Sequence, residues 1–136
     1  MNDRKWQELL TALRDVSDSD RAVDAAAELQ ARSTTEDVPR LLELLSDSDI
    51  FVREAAARPL SDLGCVEAIP HLVRAHHMGT DEGQDNDGLS AALADLVSMN
   101  AGAARPVLII LAASSNSRMQ ETAKWLLGFC EERHDA

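Results

Sequence analysis

The tetrapeptide SDSD occurs at 17–20 and again at 46–49, an offset of 29. Leu9, Leu10 and Leu13 fall over Val38, Pro39 and Leu42 at the same offset. VPRLLELL around Pro39 is similar to RPVLIILA around Pro106, and REAA at 53–56 to QETA at 120–123; both pairs lie 67 apart. Pro70, in IPHLVRA, sits 31 beyond Pro39. This internal period of about 30 constrains the fold more than any other feature. A unit that small cannot bury its own apolar face, so it stacks on copies of itself as a solenoid.

Each unit reads as two helices. Val38, Leu41, Leu42 and Leu45 form one helical stripe, and Val52, Ala55, Ala56, Leu60 and Leu63 another, ended by Gly64. The predicted pairs are 4–15 with 20–32, 37–45 with 49–63, 67–77 with 88–99, and 103–113 with 118–132. Aromatic residues are only 3% of the chain, and Ala and Leu carry the apolar content, which favours helix over strand. The expected fold is therefore an all-α solenoid of about four helix pairs, one domain over 1–136, with units near 4–32, 37–64, 66–99 and 103–132. Alanines at 25–27, 55–57, 91–92 and 112–113 suit close helix packing. Pro59, inside the second helix of its unit, removes one N–H and predicts a kink.

DVPRLLELLSDSDIFVREAAARPLSDLG, residues 37–64, resembles a HEAT repeat of the short prokaryotic kind. The early proline, the acidic turn, the Val52-Arg53 pair and the alanine-rich second helix carry the resemblance. It continues more loosely through 66–75 and 103–128, and thins at 4–32, where the proline is missing. The family resemblance implies a helical solenoid and leaves function open, because such solenoids serve many roles. HEAT enzymes that carry iron use His-Glu dyads at the starts of second helices; here those positions read Arg53-Glu54 and Gln120-Glu121.

HHMGTDEGQDNDG, 76–88, looks most like a chemical site. Adjacent residues on a helix point about 100° apart, so His76 and His77 do not easily grip one ion. A calcium loop with its glycine at Gly88 would need an acid at 83 and a glutamate at 94, where the chain has Gly and Ala. In register with the sister turns SDSD and SSNS, the stretch is an expansion of five residues. It is expected to be an enlarged, flexible acidic loop, with Asp87 as the N-cap of the following helix. Stacked turns would then align Asp18, Asp20, Asp47, Asp49, Asp81, Glu82, Asp85 and Asp87 along one ridge, eight of the 24 acids.

The net charge of −11 repels phosphate backbones and attracts basic protein surfaces. Residues 1–49 hold 12 acids and 6 bases, 50–100 hold 8 and 3, and 101–136 hold 4 of each. No leader or membrane-length apolar run is read, and two cysteines make no disulfide framework, so a cytoplasmic setting is expected. Cys130 reads as a buried packing residue, and Trp6 and Trp125 as core capping of the end units. The expected function is non-enzymatic binding of a protein with a basic surface, without cofactor, metal, nucleic acid or membrane. By analogy it resembles an acidic inhibitor of the immunity type, which neutralises a toxin. The alternatives are a chromophore lyase or chaperone-like ligand holder, and a scaffold subunit. The expected contact residues are Arg53, Glu54 and Arg58 on one helix, with Asp81, Glu82, Asp85 and Asp87.

Overall fold

The computed structural model describes the backbone of residues 1–134 and the side chains of 1–130, so the last two residues of the expected domain lie outside it. Among the described residues there are eight α-helices and no strand: α1 (Asp3–Leu13), α2 (Ser19–Arg32), α3 (Val38–Leu44), α4 (Ile50–Asp62), α5 (Ile69–Asp81), α6 (Asp87–Met99), α7 (Ala101–Ala112) and α8 (Ser117–His134). One-turn 3-10 segments, Thr35–Asp37 and Val66–Ala68, lead into α3 and α5, whose prolines sit in the first turn where no N–H is missed.

Each odd-numbered helix packs on the even one that follows. The even helices also pack on one another in sequence, α2 on α4, α4 on α6 and α6 on α8. Their contact is made by small and large residues one turn apart. Ala25 with Leu29, Ala56 with Leu60, and Ala92 with Leu96 are all buried, and Ala123, Leu126 and Cys130 continue the row. Removing a buried leucine from such a row costs about 2–5 kcal/mol. The alanines expected at the interfaces hold for Ala25, Ala55, Ala56, Ala57 and Ala92, whereas Ala27, Ala91 and Ala113 face outward. The odd helices touch each other far less. Dense packing on one side and sparse packing on the other bends the stack.

α4 runs on past Pro59, whose carbonyl accepts from Leu63 N at 2.9 Å. It ends at Asp62, and Gly64, φ +68°, turns the chain out beyond the Leu63 cap, with Cys65 N donating to Leu60 O. Gly64 also lies under the Asn100 side chain. Asn100 alone separates α6 from α7, which turn by 118° about it. Pro106 lies five residues inside α7, so the fourth unit's first helix starts earlier than its sisters. No single helix among the described residues is long and apolar enough to cross a membrane.

The expected loop over 76–88 is largely helix. α5 continues through Gly79 and Thr80 to Asp81, and only 82–86 lie between α5 and α6. Three contacts explain the difference. Gly79 is buried under the Asn86 side chain, which donates from Nδ2 to His76 O at 2.8 Å and to Thr80 Oγ1 at 2.9 Å. Gly83, φ +73°, closes the helix, with Gln84 N donating to Gly79 O. Asp85 then accepts from Asp87 N at 2.9 Å. Asn86, and not Asp87, occupies the N-cap position, and its side chain turns back onto α5.

Candidate protein interface

The turns inside the four units lie along one edge. There the first side chains to place are the arginines. Arg53 is fully buried, donates from Nη1 to Asp47 O at 2.7 Å, and pairs through Nη2 with Glu82 of the next unit. Its equivalent at an offset of 67, Gln120, donates in the same way to Ser114 O, the equivalent of Asp47 O. Arg14 pairs with Asp47, and Arg118 with Asp81 at 3.0 Å. Each strut joins a turn to its neighbouring unit. The burial of Arg53 corrects the expectation that it meets a partner: its guanidinium clamps a turn and crosses to the next one.

Asp81 and Glu82, expected as partner contacts, are the acid ends of two of these struts. Arg58 sits apart from them. It holds Asp95 at 3.1 Å and Ser61 Oγ at 2.9 Å in a groove of about 760 Å³ lined also by Gln30, Asp62, Leu63 and Met99. The expected contact set is therefore divided among three places.

Glu54 does join Asp85 and Asp87. Its carboxylate lies against Gly88, where any Cβ would overlap it. Burial, then the charges of Asp85 and Asp87, push its carboxyl above the usual glutamate range, against a smaller pull from Arg53. Asp47 shows the opposite balance. Burial pushes it up, but the Asp49 N–H, Arg14 and Arg53 bring it below the usual aspartate range.

Asp18 and Asp49 cap α2 and α4, accepting from Arg21 N at 3.0 Å and Phe51 N at 2.9 Å. Among the described residues, no cation lies within ion-pair distance of Asp18, Asp20, Asp49, Asp85 or Asp87. Five acids of the edge thus keep their charge unpaired, and three hold the units together.

The two histidines are engaged separately. His76 Nε2 is 3.0 Å from Ser90 Oγ, and His77 Nε2 is 2.9 Å from Thr122 Oγ1. Thr122 Oγ1 also lies 3.1 Å from Arg118 O, to which its hydroxyl can donate. Burial first, and Arg118 next, hold both imidazoles below the usual histidine range. No three His, Cys, Asp or Glu side chains among the described residues are grouped as a metal ion requires.

A family model for HEAT repeats matches residues 6–84, more than half of the chain. The chain belongs to the HEAT-repeat family. No curated protein and no solved structure matches it. The family match spans this HEAT protein's first unit, where the resemblance is thinnest to the eye, and stops before α6. As a HEAT protein it is a candidate protein-interaction module, and its apolar surface bears on that. Val16, Val23, Met99, Ile109, Ile110 and Trp125 are all exposed. Trp6 packs as expected, buried with the Arg40 guanidinium 4.3 Å from its ring centre. Trp125 does not: it is exposed, in edge contact with Phe129. Sequence reasoning singled out none of Val16, Val23, Ile109 or Ile110. For Val16 a signal existed, an apolar residue in the otherwise polar turn RDVSDSD.

Proposed function

We propose that this HEAT protein recognises a basic protein through the turn edge of its solenoid, as an inhibitor of the immunity type. One observation carries the reading: among the described residues, five carboxylates on that edge have no cation within ion-pair distance. A row of unpaired charges at the rim of an interface speeds and orients encounter more than it tightens the complex. Binding of this kind needs no reaction chemistry from the chain.

The test is the variant Asp18→Asn, Asp20→Asn, Asp49→Asn, Asp85→Asn and Asp87→Asn. Asparagine caps helices as well as aspartate, so charge is removed while the caps stay. Association with an arginine- and lysine-rich protein, followed by stopped flow, is expected to slow several-fold at low salt in the variant and to lose most of its salt dependence. An unchanged rate overturns the edge as the recognition surface. Capture from the native cell of a basic protein whose activity the chain blocks supports the inhibitor form.

A scaffold role is the second reading, favoured by the apolar Ile109 and Ile110 that α7 exposes. The ligand-holder reading draws less support, because the groove's arginine is already held by Asp95 and Ser61.

A further inference from the structure

The unpaired acids are not uniform along the edge. At the third turn they surround Glu54 and polar backbone. At the first they border an apolar slot of about 190 Å³ between α1, α2 and the start of α4. Leu13, Val16, Val23 and Phe51 line it, and Asp15 and Asp49 stand at its border. Val16 is 95% exposed and Val23 58% exposed, and they are the exposed large apolar residues of the chain's first half. Both border one slot, so they form a small apolar patch and are not isolated exposures. The arginines beside it are spent: Arg14 holds Asp47, and Arg21 holds Asp15 at 2.9 Å. Among the described residues no cation pairs with Asp49, and Asp18 and Asp20 flank Ser19, which also lines the slot.

We propose that this slot takes one branched apolar side chain of a partner protein, from a segment in which lysine or arginine flanks that side chain. The apolar residue would fill the space between Val16, Val23 and Phe51, and the flanking cations would meet the acids at its rim. An apolar anchor in a pocket with a charged rim is the usual division of labour at protein interfaces, the centre giving affinity and the rim orientation. The proposal rests on the reading of a basic partner and locates its anchor. It places that anchor at the first turn, away from the 76–88 stretch, where Asp81 and Glu82 are already engaged.

Two five-residue peptides test it, each with two Lys-Arg pairs around a central residue, leucine in one and alanine in the other. They are titrated into the full chain at low salt and followed by NMR. The leucine peptide is expected to bind about tenfold more tightly, the effect of burying most of one such side chain. The variant Val16→Ser with Val23→Ser changes two exposed side chains. It is expected to keep its helical circular dichroism and salt-dependent binding of both peptides, while the preference for leucine disappears. Salt-dependent but equal binding of the two peptides to the unaltered chain overturns the slot and leaves the basic-partner reading standing. No binding of either peptide overturns both. Concentration-dependent self-association that the double variant abolishes assigns the slot to a second copy of the chain, and overturns the proposal as well.

Discussion

Glu54 and Asp47 are neighbours in sequence terms and opposites in electrostatic ones. Glu54 is crowded by Asp85 and Asp87 and half-buried against Gly88, so its proton is held more tightly folded than unfolded. Its charge therefore opposes folding at neutral pH. That penalty fades as pH falls through the raised value and is gone below the ordinary 4.5. Asp47 has a depressed value, so its contribution favours folding above the ordinary 3.8 and is lost as pH falls further. Glu54→Gln is expected to raise the urea midpoint at pH 7, with the gain vanishing below the ordinary glutamate range. A gain that persists at pH 4 would show that packing, not charge, is the cause. At this scale the sequence was informative about residue types and misleading about partners. Arg53 in a turn-proximal helix start looks like a surface cation; only the stacking of units shows that it faces Asp47 O and Glu82.

At the scale of elements, all eight helices were legible, because the 3.6-residue stripes and the repeat register both point to them. The end of α5 was not. Gly79, Gly83 and Gly88 read as loop punctuation, yet each serves a different contact: room for Asn86, a left-handed helix end, and room for Glu54. Spacing alone cannot tell a buried helical glycine from a turn glycine. The two left-handed glycines make the distinction measurable. A Cβ at Gly83 would meet nothing within 4 Å, so Gly83→Ala is expected to cost only the backbone strain, about 1 kcal/mol. Gly64→Ala carries the same strain and also presses on Asn100, whose side chain holds Leu96 O at the bend between α6 and α7. It is expected to cost clearly more in urea denaturation. Equal costs would mean that the Asn100 contact yields freely.

Across the whole molecule, stability is a sum over joints between neighbouring units, and Arg53 stands at the middle one. Arg53→Met keeps the buried volume but leaves Asp47 O without its donor and releases the part-exposed Glu82 to solvent, a loss of about 1–3 kcal/mol. Hydrogen exchange is expected to show protection falling first in α4 and α5, on either side of that joint. Uniform loss along the chain would argue against a joint-by-joint stack. The even helices form an unbroken apolar row, while the odd helices barely meet. Mechanically this is a leaf spring. Its stiff, inextensible layer is the inner row, and the odd helices can fan open or close at little cost. Curvature is then expected to be a soft coordinate, limited at the turn edge by the Arg14–Asp47, Arg53–Glu82 and Arg118–Asp81 pairs. A change in it would alter the spacing from Asp20 to Asp49 to Asp87, so the unpaired acids behave as an adjustable comb rather than a fixed one.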